Sequence, residues 1–137
     1  MGAAPRIQLE LVMLPTRFAV SRLAGDASVP VWAEATAAPF LCIARTADEL
    51  SIVCEERLVP TDVRSERGWR AFRIAGALPF ELTGILASLT APLAAAGIGL
   101  FAVSTFDTDY VLVRAAEFAR AREALEAAGH RWQAGPE

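Results

Sequence analysis

Few residues in this chain have the type and spacing to handle a small molecule. Thr83 and Gly84 precede a run rich in Leu and Ala, and Ser104, Thr105, Asp107 and Asp109 crowd one short polar stretch between two apolar ones. A helix that begins at Thr83 or Gly84 leaves its first backbone N–H groups unpaired, with the positive end of the helix dipole behind them, and so favours a carboxylate. Gly84 lets a ligand approach the backbone closely. Asp109, with the Thr105 hydroxyl and the turn carbonyls, offers acceptors to an ammonium group, each charge-assisted contact contributing about 1.5–3 kcal/mol. Donors for a carboxylate and acceptors for an ammonium are what a free amino acid requires. Plain structural roles compete with these: Gly84 as a tight packing position, Glu81 as a solvent-facing residue, and Asp107 and Asp109 as turn residues bonding their own backbone.

Residues for catalysis are sparser still. His130 is the single histidine; directly after the last helical pattern, it reads as a partner of the helix C-terminus rather than as a general base. Cys42 and Cys54 fall on adjacent expected strands at nearly opposite positions, where their side chains could approach. In a cytosolic chain two such thiols read as core packing, not as a disulfide or a redox pair. Asp107 and Asp109, with no histidine or third acid nearby, make a poor cation cage, so no metal and no cofactor are expected. Trp32, Trp69 and Trp132 are too scattered to stack bases and read as core or interface anchors.

The net charge of −3, with thirteen basic residues that are all arginine, provides no surplus for a phosphate backbone. Arg64, Arg67, Arg70 and Arg73 recur every three residues, but Glu66 interrupts them, and they read as a solvated face. No nucleic-acid partner is expected. Apolar runs are broken by Arg, Asp, Glu and Pro well short of the roughly 20 residues that a spanning helix needs, and residues 1–6 do not resemble a secretory signal. The expectation is a cytoplasmic chain with no membrane partner. Hydrophobic residues make up 54% of the 137, an excess that suggests a surface covered by a second copy, as in a homodimer.

The length suits one substantial core, or two half-size modules sharing one. Periodicity predicts strands over 9–14 and 18–23 separated by Pro15 and Thr16, a helix of at most two turns over 29–35, and a hairpin from 40–45 and 50–54. A further strand is expected over 69–74, and a helix over 83–96 capped by Thr83 and kinked or restarted near Ala91 because of Pro92. A second hairpin follows from 98–104 and 110–114, then an amphipathic helix through Phe118, Ala121, Leu125 and Ala128 that stops at Gly129. The two halves superimpose as sequences. Arg22-Leu23-Ala24-Gly25 matches Arg73-Ile74-Ala75-Gly76, and the hairpin residues 41–46 match 100–105, with one residue fewer expected in the first turn. The order strand, helix, hairpin, helix, repeated, is the ferredoxin-like βαββαβ pattern.

The stretches Leu82-Thr83-Gly84-Ile85-Leu86-Ala87-Ser88-Leu89, Pro92 to Ile98, and Val103-Ser104-Thr105-Phe106-Asp107-Thr108-Asp109 to Val113 resemble an ACT domain, in the tandem-ACT group related to the aspartate kinase regulatory region and the CASTOR-type sensors. The resemblance covers residues 69–129 strongly and residues 7–60 more weakly, through Glu49 to Val53 and Arg57 to Pro60. It implies an α+β fold of two ferredoxin-like ACT modules in tandem, residues 1–64 and 65–137, with antiparallel sheets carrying helices on one face. It also implies a non-catalytic regulatory role, with an amino acid or similar effector bound where paired ACT units meet, and an unidentified regulated protein downstream. The implied ligand-binding residues are Leu82, Thr83, Gly84, Ile85, Ser104, Thr105, Phe106, Asp107 and Asp109. Residues 1–64 keep neither the Thr-Gly-Ile helix start nor a matching Asp turn. A scaffold for protein interaction, without a small ligand, is the competing function.

Overall fold

The computed structural model describes residues 7–34, 39–76 and 83–133. It contains strands β1 (Glu10–Ala24), β2 (Cys42–Arg45), β3 (Glu49–Glu55), β4 (Ser65–Ile74), β5 (Leu100–Ser104), β6 (Asp109–Arg114) and β7 (Arg131–Trp132), with helices α1 (Ile85–Ala95) and α2 (Phe118–Ala127). The chain forms two compact units, one from residues 1–15 and 71–137 and the other from residues 16–70. The start of β1, up to Pro15, groups with residues 71–137.

In the larger unit the strand order is β7, β1, β4, β6, β5. β5 and β6 pair antiparallel from Leu100↔Val113 to Ser104↔Asp109. The beginning of β1 takes a place beside β4, and β7 pairs with it in parallel at Glu10↔Arg131 and Leu11↔Trp132. Sequence periodicity missed β7 because two residues carry no period. Both helices pack on one sheet face, where Leu89 and Leu93 of α1 and Ala121 and Leu125 of α2 meet Leu11, Phe72, Ile74, Val111 and Val113. Each fully buried aliphatic side chain of this size contributes about 1.5–3 kcal/mol.

Three expectations are corrected in this unit. Thr83 does not cap α1: the N-cap is Gly84, at φ 81°, which has no side chain to bond the helix start. Pro92 lies inside α1 without ending it. The ring nitrogen of Pro92 cannot donate to the Ser88 carbonyl four residues back. That carbonyl is instead met by His130 Nε2 at 2.9 Å, while His130 Nδ1 accepts from the Leu9 N–H at 3.1 Å. An acceptor at Nδ1 fixes the proton on Nε2, so the ring is a neutral bridge between the run into β1 and the middle of α1. His130, 3% exposed, is therefore not a side-chain partner of its own helix end. Its backbone serves there: His130 N–H donates to Leu125 O and Gly129 N–H to Glu126 O, with Gly129 at φ 101°, a Schellman closure.

The smaller unit orders its strands β2, β3, β1, β4. Its core is Ala19, Leu50, Ile52 and Cys54 from the sheet, covered by Ala33, Trp32, Val29, Leu58, Val59 and Val63. The expected helix over 29–35 is reduced among the described residues to one 3-10 turn, Val31–Ala33, and a second, Glu56–Leu58, follows β3. Among its described residues the unit holds no α-helix, so the repeated βαββαβ order is not matched here. Cys42 pairs with Val53, so Cys42 and Cys54 point to opposite faces of the hairpin and remain free thiols. Burial pushes the Cys54 thiol up to about 11, with Glu55 adding to the rise.

β1 runs unbroken through Pro15, where two strands were expected. Ala75 N–H donates to Glu10 O, and Arg22 N–H to Arg64 O, so even-numbered residues of β1 turn their backbone groups toward β4 and its flanks. Leu9 and Leu11 present carbonyls to Arg131 and Gln133 on the other edge. Pro15 is odd-numbered and falls between the β7 register at Glu10–Leu11 and the β3 register that begins at Phe18. The N–H it lacks falls outside both of those registers among the described residues.

Replacing His130 by Ala leaves the Ser88 carbonyl and the Leu9 N–H without partners and should destabilise the fold by about 2–4 kcal/mol in urea unfolding. Pro92→Ala, which restores a donor to Ser88, should stabilise the His130→Ala chain more than it stabilises the parent; equal effects in the two backgrounds would contradict the bridge. Iodoacetamide at pH 8 should spare Cys54 in the native chain and alkylate it in urea, read by mass spectrometry, because a thiol titrating near 11 holds almost no thiolate at that pH.

Candidate functional site

The turn between β5 and β6 is built by Thr105. Its N–H donates to the Thr108 carbonyl at 2.8 Å, and its hydroxyl donates to the same carbonyl at 3.1 Å and accepts from the Thr108 N–H at 3.3 Å. Both roles of the hydroxyl are filled, so Thr105 has less to offer an ammonium than its type suggested. Thr108, which sequence reasoning passed over, is nine-tenths buried and donates its hydroxyl to the Ile74 carbonyl at 2.8 Å. That bond seats the turn at the C-terminal end of β4, where the chain leaves for α1. The signal for it was present in the spacing of Thr105 and Thr108, a pair that bonds across a four-residue turn.

Ser104 and Asp109 face each other across the hairpin end. The Ser104 hydroxyl donates to Asp109 Oδ1, leaving Oδ2 without a bond among the described residues. Asp107 is exposed, its side chain bonded to nothing among the described residues, and Phe106 is 78% exposed at the tip. Asp109 thus emerges as a half-buried carboxylate, oriented by Ser104, with one oxygen available.

The second part of the site is the start of α1. Ser88 N–H donates to Gly84 O at 2.9 Å, the first bond of the helix, so the amides of Ile85, Leu86 and Ala87 precede the helical ladder. Thr83 and Gly84 are exposed and Ile85 is half-buried. A Cβ added to Gly84 would stand 3.4 Å from Ile7 Cδ1, and the positive φ itself would strain any other residue. Leu82 lies outside the described residues. Thr83, Gly84 and Ile85 thus share one helix start, and Ser104, Thr105, Phe106, Asp107 and Asp109 share one turn. No bond made by Ser104, Thr105 or Asp109 reaches the helix start. At the exit of β4, a Cβ on Gly76 would meet no described atom within 4 Å.

No group of three or more potential metal ligands occurs among the described residues, and none of their helices is long and apolar enough to cross a membrane. The arrangement offers hydrogen-bond donors and one oriented carboxylate.

The family model for the ACT domain matches residues 64–127, and a second, describing an N-terminal domain, matches residues 16–62. The cytosolic arginine sensor for mTORC1 subunit 1 of Mus musculus is 38% identical over 88 residues, covering 58% of this chain. This chain spans 27% of the length of that relative. A crystal structure of an Agrobacterium tumefaciens protein superimposes with a TM-score of 0.87 at 38% identity, over 98% of each chain. Aspartate kinase of Clostridium acetobutylicum, an allosteric enzyme, shares the fold with a TM-score of 0.63 at 14% identity, over 86% of this chain and 34% of its own. Residues 64–127, which hold both the helix start and the turn, thus match the ACT-domain family.

Proposed function

We propose that this chain is a regulatory, non-catalytic module of two ACT-type units in tandem that binds a free amino acid or a similar zwitterion and acts as a homodimer in the cytoplasm. The ligand carboxylate lies against the amides that open α1, and its ammonium is held by Asp109, with Ser104 orienting the acceptor and Leu82, Thr83, Gly84, Ile85, Thr105, Phe106 and Asp107 shaping the surroundings. The two parts come from neighbouring units paired across an ACT–ACT interface, so ligand bridges them and shifts the population of their arrangements. The observation that carries the reading is Asp109 Oδ2, an unused carboxylate oxygen on a turn locked by Thr108 to the end of β4. The relative named as an arginine sensor supports a ligand of this class. The exposed Phe106 on the same turn favours the second reading, a scaffold that docks another protein and takes no small ligand.

Thermal unfolding in the presence of each of the twenty free L-amino acids separates these readings. One that binds should stabilise the chain by about 2.7 kcal/mol at one hundred times its dissociation constant; no shift with any of them sinks the sensor. Asp109→Asn, which keeps shape and removes charge, should weaken binding by about 10- to 150-fold, the equivalent of a charge-assisted bond, and leave the melting temperature of the unliganded chain nearly unchanged.

A further inference from the structure

The hairpin of residues 16–70 repeats that of residues 71–137 in the length and backbone closure of its turn. Thr46 N–H donates to Glu49 O as Thr105 N–H donates to Thr108 O, and Arg45 pairs with Leu50 as Ser104 pairs with Asp109. The two turns have the same length, correcting the expectation of one residue fewer in the first. Position by position, Arg45 therefore stands where Ser104 stands, and Leu50 where Asp109 stands. Leu50 is fully buried in the core of its unit. The oriented carboxylate of the larger unit thus has a core aliphatic side chain as its counterpart.

The strand exits differ as well. Gly25 and Gly76 end the matching segments Arg22 to Gly25 and Arg73 to Gly76. A Cβ on Gly76 would find no described atom within 4 Å, whereas one on Gly25 would stand 2.5 Å from the Ala47 carbonyl oxygen and 2.9 Å from its carbon. Ala47 is the turn residue matching Phe106. In the smaller unit the loop that leaves the strand is therefore pressed against the hairpin turn, backbone to backbone. Two arginines fasten it: Arg45 donates to the Gly25 carbonyl, and Arg22 to the Asp48 carbonyl at 3.0 Å.

We propose that the turn at Thr46–Glu49 is a ligand position closed from within by Gly25 and Arg45, so that each chain takes one amino acid, at the Asp109 turn, and none at its counterpart. The stoichiometry rests on the amino-acid-binding reading above; the closure does not. It assigns the two units different work, one to recognise and the other to hold shape.

Calorimetric titration of the full chain with each of the twenty free L-amino acids tests the proposal alongside Asp109→Asn and Arg45→Ala. The amino acid that binds should do so at one site per chain. Asp109→Asn should lower its affinity at least about tenfold with no second class of site remaining, while Arg45→Ala should keep parental affinity and stoichiometry and melt about 2–6 °C lower. Two sites per chain, or a site of parental affinity surviving in Asp109→Asn, overturns the proposal. If no amino acid binds the parent, the sensor reading fails on its own, and the closure is decided by melting. Lower transitions in both Arg45→Ala and Gly25→Ala uphold it, and an unchanged transition in either refutes it.

Discussion

The Ser88 carbonyl is the point on which the larger unit turns. Pro92 takes away the helical donor that would have met it, and a buried carbonyl with no partner costs about 1–3 kcal/mol. The imidazole of His130 supplies the missing donor and, through its other nitrogen, accepts from Leu9 ahead of β1. One neutral ring thus ties three segments distant in sequence: the entry to the first strand, the middle of α1, and the residue that closes α2. Because α1 is pinned at its middle, its start at Gly84 is fixed with respect to the sheet, and so are the amides that open it. The Thr108 hydroxyl does the same for the opposing turn by holding the Ile74 carbonyl. The candidate site is positioned by two buried polar side chains, each bonded to a backbone carbonyl, rather than by the residues expected to touch a ligand.

Periodicity and turn chemistry were good guides wherever the structure is local. The hairpin of β5 and β6, the apolar faces of α1 and α2, and the stops at Gly97 and Gly129 follow from side-chain spacing and from glycine's tolerance of positive φ. The misreadings share one cause, which is that a tertiary partner overrode a local rule. Pro92 does not break α1 because His130 arrives from 38 positions downstream. Pro15 does not break β1 because, among the described residues, it falls between the pairings with β7 and with β3. Cys42 and Cys54 looked adjacent on a hairpin diagram, yet the register of one residue sends them to opposite faces. The helix expected over 29–35 had two apolar turns' worth of signal, and the sheet face of that unit is covered instead by Trp32, Ala33 and the loop around Val59.

The candidate site was legible by residue type and less so by role. The structure places a helix start at Gly84 and bonds Asp109 to Ser104, while the Thr105 hydroxyl is consumed by its own turn and Thr83 does not cap. Thr108 is signalled in sequence only as the partner of Thr105 across a four-residue turn; its bond to the Ile74 carbonyl, 34 positions away, leaves no mark there. The internal repeat misled in one respect. Aligned by similarity it suggested turns of unequal length, whereas the hydrogen bonds of Thr46 and Thr105 show the same four-residue turn with different side chains on it.

The uncapped start of α1 is the place where this sequence departs from what stability alone would choose. A Ser, Thr, Asp or Asn at the N-cap commonly adds about 0.5–2 kcal/mol over an alanine by bonding the N2 or N3 amide. Here the position holds a glycine at φ 81°, a backbone region that side-chain-bearing residues seldom enter, and no cap side chain bonds the first amides. The opposite choice is made at the other matching exit, where Gly25 packs against the Ala47 carbonyl and two arginines fasten the loop. The unit with the oriented carboxylate thus starts its helix on a bare glycine, and the other packs its strand exit against the turn where the counterpart of that carboxylate is a core leucine. A helix start without a side-chain cap gives up local stability, and the buried bonds of His130 and Thr108 hold the rest of the unit around it.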